Sequence, residues 1–201
     1  MAEQPLVQAL AKRIQAVDES YRAKLMAIAA TLPEVIALGR GDPDFHTPKH
    51  ICEAAKKAID ENKHHYTAPA GIPELRQAIA EKLDYTADEV IVTAGVQEGI
   101  MLAMIGLVDP GDEVLVTTPR FTSYDTAIRI CGGTLVPVPT YEKDDFALMP
   151  AEIEKRITPR STVVVLVTPN NPTGAVMPTA VVRQIADLVQ RHNLVVVSDE
   201  I

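Results

Sequence analysis

Positive net charge, cysteine and long hydrophobic runs are all scarce in this sequence, and each shortage excludes a class of protein. The formal net charge is −8, which argues against a nucleic-acid partner, because binding to phosphates requires a basic face. Its two cysteines, Cys52 and Cys131, have no CxxC or histidine spacing around them. This favours free thiols in a reducing compartment over a metal site or a disulfide. The longest apolar run, residues 100–108, is far too short to span a bilayer.

Targeting signals and nucleotide-binding fingerprints are also missing. The N-terminal stretch, MAEQPLVQALAKRIQAVDES, carries acidic side chains and has no apolar core like that of a signal peptide, so we predict a cytoplasmic protein. The sequence contains no GxGxxG and no GKS or GKT, and the missing glycine fingerprint argues against a nicotinamide dehydrogenase. With 47% hydrophobic and 23% charged residues, the composition is that of an ordinary globular protein that can bury a large core.

From residue 89 onward, short apolar runs alternate with segments of helical periodicity. The runs are apolar throughout, as in the strands of a parallel sheet whose two faces are both covered. The alternation therefore predicts an α/β fold with a mostly parallel sheet between two layers of helices. The predicted strands are EVIVTA (89–94), EVLVTT (113–118), TLVPV (134–138), TVVVLVT (162–168) and LVVVS (194–198).

The first 90 or so residues have a different character. Residues 1–30 are rich in alanine and prone to form helix, and two further helices are predicted to begin near Pro48 and Pro73. We expect residues 1–45 to form an N-terminal arm and part of a small domain, and residues 46–201 to form the N-terminal part of a large domain. Because the sequence ends just past a buried strand, in LVVVSDEI, we expect it to be the N-terminal portion of a longer protein.

Two loops next to predicted strands have residues suited to binding, at the sheet edge where ligands of α/β proteins lie. In VTAGVQEG, Gly95 permits a sharp turn into a helix whose free N–H groups attract an anion, and Gln97 adds a donor. The alternative is a plain strand–helix turn. In TPRFTSY, the ring of Phe121 or Tyr124 has the position to stack on a flat ligand. The alternative is that Phe121 is a core residue.

The strongest signals lie in TPNNPTG (168–174) and in the carboxylate that follows the last strand. Two asparagines between prolines offer amide donors and acceptors on a rigid loop. Asp199 ends the most apolar strand, where a carboxylate is costly unless it has a cationic partner. No such partner lies nearby in the sequence, which points to a cationic group on a bound ligand.

Six motifs, taken together and in this order, resemble the class I pyridoxal-phosphate (PLP) aminotransferases of fold type I. The motifs are GDPDFHTP, YTAPAGIPELRQAIA, VTAGVQEG, DPGDEVLVTTPRFTSY, TPNNPTGAV and VSDEI, and the resemblance runs from about residue 35 to residue 201. It implies an enzyme that uses PLP to move an amino group between an amino acid and a 2-oxo acid. It also implies a three-layer α/β/α fold, in which residues 46–201 belong to the large PLP-binding domain.

The resemblance implies a role in cofactor binding for several of these residues. The phosphate group would lie in the helix start formed by Gly95, Val96 and Gln97. Phe121 would stack on the pyridine ring, and Asn171 would hydrogen-bond its phenolic oxygen. By the same resemblance, these last two side chains would also border the substrate.

Further roles follow from the same resemblance. Asp199 would pair with the pyridinium nitrogen and keep it protonated, which supports catalysis without making this residue the proton carrier. Gly41 matches a backbone position near the substrate carboxylate. Tyr66 matches a tyrosine that reaches the phosphate in the partner subunit, which implies a homodimer with shared active sites.

Three functional residues of the family have no match here, because the resemblance places them beyond Ile201: the Schiff-base lysine, a tyrosine after SDEI and the arginine that binds the substrate α-carboxylate. No metal site is expected. A β-lyase or a cyclase of the same fold type would share every motif, so these reactions stay open. A non-catalytic ligand sensor is a further alternative, although fewer than about 35 residues precede the motifs, too few for a winged-helix DNA-binding domain.

Overall fold

The chain divides into two compact units, which we call the sheet unit (1–20 and 94–201) and the helical unit (21–93). The domain boundary near residue 45 concerns the full-length protein, and it stays a prediction. In the computed structural model, the described residues are 10–15, 21–36, 41 and 43–201.

The sheet unit is built on four parallel strands in the order β2-β1-β3-β4. This confirms the parallel sheet that the apolar runs predict. The strands are β1 (Glu113–Thr118), β2 (Thr134–Pro139), β3 (Ser161–Val167) and β4 (Val195–Asp199).

Helices occupy most of the remaining regular structure. Those of the sheet unit pack around the strands, and those of the helical unit lie in residues 21–93. In chain order they are α1 (Lys12–Gln15), α2 (Tyr21–Ala29), α3 (Lys49–Asp60), α4 (Pro73–Leu83), α5 (Val96–Leu107), α6 (Ser123–Ile130), α7 (Pro150–Glu154) and α8 (Thr179–Arg191).

Alternation along the strands sends side chains to two separate cores. On one face, Val116 and Val165 pack with Met104 of α5 and Ile128 of α6. On the other face, the core combines strand residues with α7 and α8: Leu115, Val164, Leu166, Ile153, Ile185 and Leu188. Helices therefore cover both faces of the sheet, which confirms the three-layer α/β/α fold. Burying each of these large aliphatic side chains contributes about 1.5–3 kcal/mol.

One predicted strand is wrong. EVIVTA (89–94) contains the end of a 3₁₀ turn, Ala87–Glu89, followed by backbone that pairs with no strand among the described residues. A strand exists only through its ladder, so an apolar extended segment without a neighbour is not one. Of the predicted helical stretch 1–30, residues 1–9 and 16–20 lie outside the described residues.

In the helical unit, one arginine fixes the 3₁₀ turn Ala87–Glu89 and the residue after it. Arg76 of α4 donates from Nε to the carbonyl oxygen of Val90 at 2.9 Å and from Nη2 to that of Ala87. Gly71, with φ +102°, approaches Val92 so closely that a Cβ would meet its side chain at 2.7 Å. The glycine of YTAPAG is therefore required by packing. None of the described helices is both long and apolar enough to cross a membrane.

Candidate active site

The carboxyl edge of the sheet brings together residues that are far apart in sequence. Because all four strands run parallel, the loops that follow β1, β3 and β4 leave from the same edge. The register places Val167 opposite Asp199, and the N–H of Thr168 donates to the carbonyl oxygen of Asp199 at 3.0 Å. The TPNNPTG loop therefore starts beside Asp199.

Helix α5 points its N-terminus toward this edge. Its C-terminus is joined to the start of β1 by the five residues VDPGD, 108–112, so the helix runs back along the sheet in the opposite direction. Gly95, the residue before the helix, has φ +80° and ψ 168°, and no atom of the described residues lies within 4 Å of the position of a Cβ. The N–H groups of Val96 and Gln97 find no acceptor among the described residues. They are free donors at the positive end of a helix dipole.

The two asparagines of the loop differ in burial and in hydrogen bonding. Asn170 is half-buried and anchors the loop: its Nδ2 donates to Thr117 Oγ1 of β1 at 3.3 Å, and its Oδ1 accepts from Thr173 Oγ1 at 3.0 Å. Its carbonyl oxygen also accepts from the N–H of Gly174 at 2.7 Å. The side chain of Asn171 is exposed and bonds to no other described residue, so its amide is available to a ligand.

Phe121 stands on a turn that an ion pair closes. Arg120 donates to both carboxylate oxygens of Asp125, from Nε at 2.9 Å and from Nη2 at 2.6 Å, and its third nitrogen bonds to Thr118 Oγ1. Such a two-pronged pair fixes geometry as well as charge. Phe121 is half-buried and packs against the core on the α5–α6 face. It is part core residue and part surface, which leaves both interpretations of this ring compatible with its position.

Asp199 accepts a hydrogen bond that the sequence did not predict. The hydroxyl of Tyr124, in α6, donates to Asp199 Oδ2 across 75 positions of the chain. The other carboxylate oxygen, Oδ1, accepts no hydrogen bond from the described residues, and none of the described cations forms an ion pair with this half-buried group. A carboxylate with one free oxygen and no cation suits a ligand that brings an N–H donor or positive charge.

Tyr124 itself is wholly buried, at 0% exposure, so its ring cannot stack on a ligand as one interpretation of TPRFTSY had it. Burial, and then the hydrogen bond and charge of Asp199, raise the pKa of Tyr124 well above its ordinary value of 10.0. The phenol is therefore a fixed neutral donor.

Two predicted site residues lie in the helical unit. Tyr66 is fully exposed there, and a Cβ at Gly41 would have no atom of the described residues within 4 Å. Their roles, taken from the resemblance, stay predictions. Two residues that shape the site have roles that the sequence does not predict: the Tyr124 hydroxyl binds Asp199, and Asn170 anchors the loop. A signal for Tyr124 exists, since Tyr124, Ala127 and Ile128 form the buried stripe of α6, and a tyrosine on such a stripe needs a partner for its hydroxyl.

The donor set of this edge has a definite chemistry. It offers free N–H groups at a helix start, one aromatic face, one exposed amide and one carboxylate oxygen. Together these suit a flat ligand with an anionic group at one end and a protonated nitrogen at the other. No cluster of metal-ligating side chains occurs in the described part of the chain.

Comparison with known proteins identifies close relatives. The family model for aminotransferase class I and II matches residues 33–201. The aspartate aminotransferase of Pyrococcus abyssi is 41% identical over 200 residues, and the aromatic-amino-acid aminotransferase 2 of Thermococcus litoralis is 40% identical over 200 residues. Each alignment covers 96% of this chain and 51% of the relative.

The solved structures agree. The aspartate aminotransferase of Thermus thermophilus with maleate superposes with a TM-score of 0.90 at 40% identity, over 96% of this chain and 53% of that one. The chain thus spans about half the length of the curated relatives that it matches.

Proposed function

Because the chain belongs to the class I and II aminotransferase family, we propose that the full-length protein is a PLP-dependent aminotransferase. It moves an amino group between an amino acid and a 2-oxo acid. The observation that carries this proposal is the Asp199 carboxylate, which stands at the sheet edge with one free oxygen and no cation among the described residues. The names of the relatives define the first substrates to test: aspartate, aromatic amino acids and prephenate.

The donor set fits PLP group by group. The N–H groups of Val96 and Gln97, with the open space at Gly95, suit a phosphate, as helix N-termini generally do. The Phe121 ring offers a face for a pyridine, without a hydroxyl or indole N–H of its own. The Asn171 amide suits a phenolic oxygen, and Asp199 Oδ1 suits a protonated ring nitrogen.

The role of Asp199 is to hold a proton on its partner. PLP, when bound, supplies an electron-withdrawing ring that stabilises negative charge at the α-carbon of an amino acid, provided that its ring nitrogen is protonated. An aspartate oxygen close to that nitrogen keeps the proton there through a charge-assisted hydrogen bond. Asn171 and Phe121 orient the ring, and the helix start holds the phosphate, so the chain's residues act by binding and orientation.

The proposal extends to assembly and location. By resemblance, Tyr66 serves the active site of a partner subunit, so we propose a homodimer with shared sites. We also propose, by the same resemblance, that Gly41 lies near the substrate carboxylate. We also propose a cytoplasmic location, because the two unpatterned cysteines favour a reducing compartment.

A direct experiment tests the function. Full-length protein is titrated with PLP and followed by visible absorbance, and amino transfer to 2-oxoglutarate is then measured with aspartate and with aromatic amino acids. We expect saturable binding and formation of the matching 2-oxo acid. Elimination products from a substrate with a β-leaving group, without amino transfer, would favour a β-lyase. Cyclised products would favour a cyclase, binding without any turnover would favour a ligand sensor, and no binding would end the proposal.

A further inference from the structure

Tyr124 is a buried residue whose hydroxyl is bonded to a residue of the proposed site, Asp199. Its ring packs in the core between α5, α6 and the sheet at 0% exposure, yet its hydroxyl reaches the carboxyl end of β4. A buried hydroxyl without a partner costs about 1–3 kcal/mol, so a tyrosine at this core position is favourable only with an acceptor. Among the described residues, that acceptor is Asp199.

Asp199 needs such a contact to have a defined orientation. Its backbone is fixed, because β4 pairs with β3 and its carbonyl oxygen accepts from Thr168. Its carboxylate plane is not, since the last torsion of an aspartate side chain has a broad, roughly two-fold profile. Among the described residues, the hydrogen bond from Tyr124 is the one hydrogen bond to this carboxylate, and it restrains the plane.

We propose that Tyr124 is a positioning residue that acts through Asp199. It holds Oδ2 from the core side and so presents Oδ1 to the ring nitrogen of PLP. This inference rests on the proposed function, because it assigns Asp199 the pyridinium nitrogen as its partner. Two aromatic residues three positions apart then have different roles: Phe121 faces the ring of the cofactor, and Tyr124 orients the carboxylate of Asp199.

The effect of Tyr124 on the ring nitrogen can be separated from its effect on stability. PLP and its 1-deaza analogue, in which carbon replaces the ring nitrogen, share every contact except the one with Asp199. The change in the ratio of their dissociation constants between wild type and a variant therefore reports the Asp199 contact, because the other differences between the two ligands are common to both proteins. A general loosening of the site would weaken both ligands equally and leave the ratio unchanged.

The experiment measures this ratio in full-length wild type, in Tyr124→Phe and in the control Tyr141→Phe, which makes the same change at a half-exposed tyrosine. We expect the preference for PLP to fall about fivefold to tenfold in Tyr124→Phe, as for one weakened hydrogen bond to a charged group, and to stay unchanged in the control. Near-ultraviolet circular dichroism checks the fold. Tyr124→Met, which also lacks the hydroxyl but fills the core with a flexible side chain, replaces Tyr124→Phe if that variant does not fold.

The outcomes separate the two proposals. If wild type does not bind PLP, the proposed function fails and the role of Tyr124 fails with it. If wild type prefers PLP and the hydroxyl-free variants keep that preference, only the positioning role is overturned. A stronger preference in these variants would mean that the phenol merely damps the charge of Asp199, and this too would overturn the positioning role.

Discussion

Two carboxylates stand at opposite edges of the same sheet, and the fold treats them in opposite ways. Glu113 begins β1, is 4% exposed, and both of its oxygens accept hydrogen bonds. The donors are Thr158 at 2.6 Å, Ser161 at 3.3 Å and the Arg160 Nε at 3.0 Å. Asp199 ends β4 with one neutral donor on one oxygen and, among the described residues, nothing on the other.

The difference separates a structural group from a ligand-binding one. At the amino edge, the side chain of Arg160 and its carbonyl oxygen both bind Glu113, the latter through the Glu113 N–H at 2.8 Å. This cluster ties the start of β1 to the start of β3 and leaves no capacity for a ligand. At the carboxyl edge the unused capacity of Asp199 is what a cofactor can use, since functional carboxylates are those whose environment is incomplete without their ligand.

The largest expected effect comes from removing the charge at the carboxyl edge. In Asp199→Asn of the full-length protein, amino transfer with saturating PLP should slow by about a hundredfold or more, about 2.7 kcal/mol of transition-state stabilisation. The amide keeps the shape but cannot hold the proton on the ring nitrogen. The free energy of unfolding of the apoprotein should change little. The control Asp187→Asn makes the same change at an exposed site on α8. An amino-transfer rate within about threefold of the wild-type rate would contradict the functional role of Asp199.

The next largest effect concerns the amino edge. Glu113→Gln should lower the free energy of unfolding by about 2 kcal/mol, because it weakens hydrogen bonds to a charged and buried acceptor. The expected loss of stability is modest because the Arg160 side chain is 70% exposed and solvent screens its ion pair with Glu113. Urea unfolding of the apoprotein measures it, with Glu142→Gln as the exposed control. PLP affinity should be unchanged in Glu113→Gln, and a loss of affinity would show that the two edges are not independent.

At low pH, Glu113 should no longer contribute to the free energy of unfolding. Hydrogen bonds from Thr158, then from Arg160, lower the pKa of Glu113 below its ordinary value of 4.5. A carboxyl with a lowered folded pKa stabilises the fold above its unfolded pKa and loses that stabilisation as the pH falls through the folded one. The difference in unfolding free energy between wild type and Glu113→Gln should therefore be full at pH 7 and shrink below about pH 4.5. A difference that grows on acidification would contradict this assignment.

The smallest expected effect concerns the loop that Asn170 anchors at the carboxyl edge. Asn170→Ala should weaken PLP binding about fivefold, near 1 kcal/mol, because the loop loses its bonds to Thr117 and Thr173 and no longer holds Asn171 in place. Equilibrium dialysis of the full-length protein measures the affinity, with Gln184→Ala on α8 as the exposed control. If affinity is unchanged, the loop is held by its backbone alone.

Much of the site could be predicted where its residues sit within one motif. Gly95 with a helix start, and asparagines between prolines, are local signals, and the structure places Gly95 directly before helix α5 and leaves the side chain of Asn171 exposed. Tyr124 and Asn170 could not be assigned in this way, because their partners lie 75 and 53 positions away. The strand predicted at 89–94 failed for the same reason. Its apolar residues are visible in the sequence, but whether a neighbouring strand pairs with them is not, and none does so among the described residues.

The sequence by itself determined the layers of this protein. Apolar runs of strand length, helices with apolar stripes and turns rich in proline and glycine are local properties, and they predict a parallel sheet covered on both faces. Only the tertiary structure decided which polar atoms are satisfied. Two acidic residues at strand ends look alike in the sequence, yet among the described residues Glu113 meets three donor side chains and Asp199 meets one. Hydrogen bonds act over about 3 Å, so they depend on which distant segments the fold brings into contact.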